Sequence, residues 1–388
     1  MEIAYPWIPS IPTMHGLALL LLQLQAPAAP SVDLFRLLAE RADPTARARL
    51  PEPSYRLRTI SGSHRPNEGP GESGIAEIEG PGALVRIQAH GAVGTMRIRL
   101  DGAEVPVFAA GPDLESPFAE RTEDGWILGL PIPFAGRCRI TADGADSGTF
   151  EVEYRVYPPG TTVESATRDS LERAKNVPRP APPGADTFTF SLSEEIPEGG
   201  LTCLDPRNAA GPRAITRIHL RAEATDLALA LRRAKLRLAF DGETTVECPL
   251  GDFFGCSAGP EPYESPDFTV ARGIDEATGR PGTQVELVCR FVMPYRERFD
   301  LSIDARQAGD LHVAGLVRTM PWTWDARSML FHAAPVLSIE GSGVLVGESR
   351  RSRALDALPF ESAVDLESIR RLGAATAYYY ALPRAREK

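Results

Sequence analysis

Hydrophobic and polar positions alternate with period two along most of this chain. Met96, Ile98 and Leu100 interleave with Arg97 and Arg99, and Phe150, Val152, Tyr154 and Val156 interleave with Glu151, Glu153 and Arg155. Strict alternation is the pattern of half-buried strands, and Gly, Asp or Pro punctuation every several residues is that of a sandwich. Strands are predicted from Ile75 to Tyr157, where Pro158-Pro159-Gly160 stops them, and again from Thr187 to Thr319. Helical spacing is confined to short stretches. Residues 31–50 place Leu34, Leu37 and Leu38 on one face, with Ser31 as cap and Pro44 as limit; Ser165 to Ala174 and Ala222 to Arg233 are the other two. Residues 61–74, dense in Gly, Pro, Ser and Asn, are predicted to be a loop. Beyond residue 334 lie three further strand candidates, around Val336–Val346, Ala363–Ile369 and Ala375–Ala381. Three strands do not make a sandwich alone, so they are expected to pack on a neighbour.

The alternating region is written twice. The first copy runs through Gly80-Pro81, the Asp101-Gly102 pair and Pro133-Phe134; the second runs through Gly211-Pro212, Asp241-Gly242 and Pro294-Tyr295. The offset between copies grows from 131 at the Gly-Pro pairs to 140 at the Asp-Gly pairs and 161 at the Pro-aromatic pairs. A rising offset means longer loops on the same strand order, and such self-similarity sets the architecture. The expectation is an all-β chain of two tandem jelly-roll-like β-sandwiches with a short C-terminal β remnant. Its divisions are a signal segment at 1–30, a helix and loop at 31–74, a first sandwich at 75–175, a Pro-rich linker at 176–186, a second sandwich at 187–334 and the remnant at 335–388.

Charge and composition narrow the function. A formal charge of -10 argues against general attraction to nucleic acid, and a mean hydropathy of -0.17 against a polytopic membrane protein. Leu17 to Leu22 followed by Ala26-Pro27-Ala28-Ala29 is a short apolar core before a small-residue cleavage site. It predicts export, with a cytoplasmic location if that run is not a signal. The five cysteines include no C-x-x-C, which fits neither a zinc site nor a full disulfide framework. Cys248 and Cys256 are spaced to pair across a loop after export, against the reading of both as small buried apolar residues. The six histidines stand in no ligand spacing, and no phosphate loop, dinucleotide fingerprint or G-x-S-x-G is present. No metal, cofactor or catalytic dyad is expected from the pattern.

Two blocks remain as candidates for binding. Pro249-Leu-Gly-Asp-Phe-Phe-Gly255 follows a strand that Pro249 ends. Phe253 and Phe254 either plug one end of the sandwich, with Asp252 capping the turn, or stand with Asp252 at a sugar site. Pro321-Trp322-Thr323-Trp324-Asp325-Ala326-Arg327 offers two indoles for stacking on a sugar ring and Asp325 and Arg327 for its hydroxyls; buried, hydrogen-bonded indoles are the equal alternative. The second unit carries 51 residues between its Asp-Gly and Pro-aromatic motifs (243 to 293) against 30 in the first (103 to 132). Its longer loops, with Tyr263 among them, make it the predicted binding face.

From about Tyr55 to Tyr380 the chain resembles glycoside hydrolase family 172. The resemblance rests on Ile78-Glu-Gly-Pro-Gly-Ala-Leu-Val-Arg86, Tyr154-Arg-Val-Tyr-Pro-Pro-Gly-Thr-Thr-Val-Glu164, Pro249-Leu-Gly-Asp-Phe-Phe-Gly255, Val292-Met-Pro-Tyr-Arg296 and Trp324-Asp-Ala-Arg-Ser-Met-Leu-Phe-His332. It implies action on α-linked furanosides of fructose or arabinose, a glycan partner and a homo-oligomer. The family's two catalytic carboxylates stand in a Gly-Glu-Gly-Asp and a Gly-Thr-Gly-Thr-Glu-Asp segment, and neither occurs here. Gly341 to Gly347 resembles the strand before that region. Arg353 to Phe360 and Ala375 to Tyr380 resemble the strands after it, and Glu348-Ser-Arg-Arg-Ser352 joins the two sides. The expected function is that of a non-catalytic, carbohydrate-binding relative of the furanosidases. The alternative is an active hydrolase with relocated carboxylates, Glu340 and Glu348 being nearest the junction.

Overall fold

The computed structural model describes residues 31–64, 72–91, 93–111, 118–143, 147–176, 188–194, 201–204, 210–256, 259–274, 281–334, 338–340, 342–348, 358–360, 363–365 and 376–383. The predicted signal segment and most of the Pro-rich linker lie outside them. Residues from Ser31 onward belong to one unit.

The first sandwich is built from β1 (Arg56–His64), β2 (Ser73–Glu79), β3 (Gly82–Gly91), β4 (Met96–Leu100), β5 (Phe108–Ala110), β6 (Ala119–Thr122), β7 (Gly125–Leu128), β8 (Ile132–Phe134), β9 (Arg137–Ala142) and β10 (Gly148–Val156). One sheet is ordered β1-β10-β3-β7-β6, with β8 also on β3, and the other β2-β9-β4-β5. The second sandwich contains β11 (Phe188–Glu194), β12 (Leu201–Leu204), β13 (Arg213–Glu223), β14 (Lys235–Phe240), β15 (Glu243–Pro249), β16 (Tyr263–Glu264), β17 (Phe268–Ile274), β18 (Pro281–Cys289), β19 (Met293–Tyr295), β20 (Phe299–Asp304), β21 (His312–Pro321) and β22 (Leu330–Ala334). Its first sheet runs β11-β21-β13-β18-β17-β16 with β19 on β13, and its second begins β12-β20-β14-β15. Apart from the extra edge strand β16, this is the order of the first sandwich, and each is a jelly roll of two Greek keys. The inward residues of both copies form the cores: Leu84, Ile87, Met96, Ile98 and Phe134 in the first, and Ile215, Ile218, Leu236, Leu238 and Tyr295 in the second.

The remnant continues the second sandwich. Strands β23 (Ser338–Glu340), β24 (Gly343–Glu348), β25 (Leu358–Phe360), β26 (Ala363–Asp365) and β27 (Ala377–Ala381) follow β22. β27 pairs with β22, β24 with β27 and β25 with β24, which lengthens the β15 side of the second sheet. β23 and β26 pair separately.

Local chemistry explains the repeat's landmarks. Asp101 and Asp241 sit at φ 52 and 54, followed by Gly102 at 79 and Gly242 at 86. Two successive left-handed residues suit a tight Asp-Gly turn. The aspartates do more than turn the chain. Asp101 accepts the Gly136 and Arg137 amides at 2.7 and 2.9 Å, and Asp241 accepts the Arg296, Glu297 and Arg298 amides at 2.8, 2.7 and 3.1 Å. Each carboxylate thus fastens the turn that precedes β9 or β20. Asp241→Asn is expected to cost about 1–3 kcal/mol, the worth of charge-assisted bonds lost. A urea unfolding curve shifted by less than a few tenths of that would show the clamp to be idle.

Three sequence expectations shift. The helix at 31–50 is α1 (Leu34–Ala42), capped by Asp33, which accepts the Arg36 amide at 2.8 Å; Ser31 is not its cap. Strand β1 begins the first sandwich at Arg56, ahead of the predicted start at Ile75, and occupies part of the predicted loop. None of its described side chains is buried, so no alternation marks it. The other two helices are shorter than expected: α2 (Arg168–Ala174) is capped by Thr167, and α3 (Leu227–Arg233) by Asp226, with Ala222 and Glu223 remaining in β13.

An N-terminal strap touches both sandwiches. Val32 bridges Val163, and α1 buries Leu34 and Leu38 in the first core. After the 3-10 turn Ala46–Ala48, Arg49 bridges Ser328 of the second sandwich.

Candidate functional site

The first candidate block is core rather than surface. After Pro249 the chain forms the single turn α4 (Leu250–Phe253), which turns Phe253 and Phe254 fully inward. Their ring centroids lie 5.0 Å apart, edge to face, and Phe253 meets Phe268, Phe331 and Tyr378 at 6.2, 6.5 and 6.2 Å. Tyr378 Oη donates to the Asp252 and Phe253 carbonyls at 3.0 and 2.8 Å, and Tyr380 Oη to the Val292 carbonyl at 2.8 Å. Tyr263 Oη donates to the Phe254 carbonyl, and burial pushes its phenol well above the usual range. The reading of Phe253 and Phe254 as a sugar platform is corrected to that of a plug. These aromatics hold the C-terminal strand, since buried rings with a polar tip settle where the tip finds a partner.

The second block is covered from the other end of the chain. Trp322 is 5% exposed, and its Nε1 donates to Ser328 Oγ at 3.1 Å. The Arg49 guanidinium lies 4.2 Å above the Trp322 ring, donates to the Thr323 carbonyl at 2.8 Å and to Ser328 Oγ at 3.3 Å, and pairs with Asp325. A cation over an indole face is favourable, and here it fills the position a sugar ring would need. The strap is sewn down by backbone as well: Leu50 N donates to the Arg327 carbonyl at 2.8 Å and Met329 N to the Ala48 carbonyl at 3.0 Å. Arg327 donates to the Leu50 carbonyl at 2.7 Å and to Glu52 at 2.9 Å. Alongside, Arg47 makes a bidentate pair with Asp267 at 2.8 and 3.1 Å and lies over Phe291.

What remains open is a narrower strip. Trp324 is half-buried with the Arg296 guanidinium 4.7 Å from its ring, Asp325 is exposed, and Arg327 is 41% exposed. Burial raises the Asp325 pKa, but bonds from Ser328 Oγ and the Arg327 amide, with the charge of Arg49, bring it below the usual carboxylate range. An ionised Asp325 accepts hydroxyl protons and does not donate one. Sequence reasoning missed Arg47 and Arg49, because nothing in Ala46-Arg-Ala-Arg-Leu50 names a partner more than two hundred residues away; it also missed Arg296, which lies over Trp324.

A second concavity lies at the β6–β7 turn of the first sandwich. This open hollow of about 810 Å³ is lined by His90, Gly91 and Arg121 to Gly125. The volume suits a small ligand, but no Trp, Tyr or Phe lines it. Among the described residues no group of three or more His, Cys, Asp or Glu is placed to hold a metal ion, and no helix is long and apolar enough to cross a membrane. Cys138, Cys248, Cys256 and Cys289 are free, buried thiols, so Cys248 and Cys256 do not pair. Burial, with the charge of Asp101 or Asp252 added, raises the Cys138 and Cys256 thiols to about 12. Glu340 ends β23 and Glu348 ends β24, and their side chains lie outside what the structure describes.

Residues 58–174 match the GH172 first beta-sandwich domain. That span contains nearly all of β1 to β10 and α2. No curated protein matches the chain. Among solved structures, the crystal structure of the coconut allergen cocosin aligns with 68% of this chain and 84% of its own at 10% identity and a TM-score of 0.11. That score is too low to bear on the fold.

Proposed function

We propose, from a first sandwich that matches the first β-sandwich domain of glycoside hydrolase family 172, that this chain binds a furanose-containing glycan and does not hydrolyse it. One observation carries the reading: β24 and β25 are neighbours in one sheet with only residues 349–357 between them, and neither carboxylate motif of the family stands anywhere in the sequence. Retaining chemistry needs a nucleophile and an acid/base about 5–5.5 Å apart. Losing both removes covalent catalysis together with general acid–base help worth about 10²–10⁴-fold. A shared fold does not carry the activity with it.

The glycan face in this proposal is the strip of Trp324, Asp325 and Arg327, with Trp322, Phe253 and Phe254 in structural roles. The half-buried indole supplies an apolar face once a sugar ring takes the place of the Arg296 guanidinium that lies over it, and the carboxylate and guanidinium beside it in sequence supply hydroxyl partners. The full chain is to be titrated with α-linked fructofuranoside and arabinofuranoside oligosaccharides while product sugars are assayed. Binding without turnover is expected, weakened about tenfold or more in Trp324→Ala. Unchanged binding in a folded Trp324→Ala protein would remove the strip from the proposal. Turnover that disappears in Glu340→Gln or Glu348→Gln would replace it with the hydrolase of relocated carboxylates.

A further inference from the structure

The two sandwiches differ in charge at one equivalent position. In the first, Arg86 of β3 stands opposite Glu153 of β10, and the ladder passes over Val85 beside it. In the second, Arg217 of β13 stands opposite Arg318 of β21, and the ladder passes over Thr216. Arg86 and Arg217, like Val85 and Thr216, are separated by the same offset of 131 as the Gly-Pro pairs. The irregularity therefore places the two arginines at matching points of matching sheets. Arg86 is neutralised there, with Nη1 3.1 Å from Glu153 and 3.7 Å from Glu151. Arg217 meets another cation instead.

The neighbours do not correct this. Ile218 and Leu220 point into the core, so Arg217, His219 and Arg221 line the outer face of the sheet. On the far side of β13 from Arg318, Ile218 pairs with Cys289, and Arg290 follows it. Arg290 donates to Thr269 Oγ1 at 2.6 Å and lies 3.9 Å from Glu264. Glu286, the nearest acid along β18, is engaged by Arg221 at 3.0 Å and His219 at 3.6 Å. Among the described residues Arg217 has no ion pair, and its Nε is buried without a hydrogen-bond partner. Burial, then Arg290 and Arg318, lower its pKa, with Glu286 opposing. A half-buried cation beside two others is costly unless an anion joins them.

We propose that Arg217, flanked by Arg318 and Arg290, is an oxyanion site on the outer face of the second sandwich. A carboxylate or sulfate group takes there the place that Glu153 holds in the first. Planar guanidinium groups suit both oxyanions by paired N–H donation. The oxyanion arrives as a free ion or as the acid group of a saccharide. Only the saccharide source rests on the glycan reading above.

The test uses the full chain titrated with sodium sulfate and, separately, with glucuronate and glucose, all at one ionic strength set with chloride. Sulfate is expected to bind and to raise Tm. Arg318→Glu rebuilds the pair of the first sandwich, and it is expected to raise Tm in chloride and weaken sulfate about tenfold or more. Arg318→Ala, which removes a cation without adding an anion, is expected to weaken sulfate without raising Tm in chloride. Equal sulfate affinity in the parent and Arg318→Glu overturns the site. Glucuronate binding that Arg318→Glu abolishes, with glucose inert, assigns the saccharide source. Sulfate bound and glucuronate ignored leaves the site standing with a free ion as its ligand.

Discussion

Deleting residues 376–388 is expected to abolish cooperative unfolding of the second sandwich. β27 sits between β22 and β24, so its removal opens a ladder on both sides and detaches β24 and β25 from the sheet. It also withdraws Tyr378 and Tyr380, each 1% exposed, and leaves the Asp252, Phe253 and Val292 carbonyls without their phenol donors. Truncating a buried aromatic costs about 3–5 kcal/mol, and an orphaned buried acceptor about 1–3 more. Two such losses rival the roughly 5–15 kcal/mol that holds a typical domain together. Near-UV circular dichroism and calorimetry should then show native signal and one transition from the first sandwich alone. A truncated chain that keeps two folded sandwiches and melts within a few degrees of the parent would contradict this reading of the C-terminal strands.

Phe253→Ala is the largest single-residue effect expected, at about 3–5 kcal/mol in urea unfolding. Phe253 is fully buried and ringed by Phe254, Phe268, Phe331 and Tyr378. Those rings all meet Phe253 edge to face and also pack on one another, so the cavity has little means of collapse, and the cost belongs near the top of the range. Phe253→Leu, which keeps most of the volume, is expected to lose less than half as much. A loss below about 1 kcal/mol for the alanine variant would mean that the plug is loose, and would return Phe253 to the list of residues free to meet a ligand.

The strands legible in sequence were those with one wet and one dry face. Met96 to Leu100 alternate because their even residues are buried and their odd ones half-buried, and they form β4; in β10 the alternation holds from Phe150 to Val152, but past the register shift Glu153 and Arg155 are buried while Tyr154 and Val156 are half-buried. β1 escaped the same reasoning because no described side chain in it is buried. The candidate site divides along a similar line. Aromatic residues at 253, 254, 322 and 324 announce apolar contact, and all four are in contact. Whether the contact is a core ring, an arginine or a ligand is not a property of the aromatic residue. Phe253 met Tyr378, and Trp322 met Arg49, across 125 and 273 positions of chain.

Arg217 shows the division most sharply. The sequence by itself determined the two copies, their strand order and their turns. The Asp-Gly and Gly-Pro motifs and the period-two pattern act over a few residues, through backbone conformation and the choice of a face. Only the tertiary structure decided what stands opposite each outward residue. Glu153 and Arg318 lie 67 and 101 positions beyond the arginines they face, and a one-residue shift in either ladder would have put them on the other side of the sheet. Register between distant strands is set by the packing of whole sheets, and so the matched charge in one sandwich and the unmatched charge in the other become visible only once both are folded.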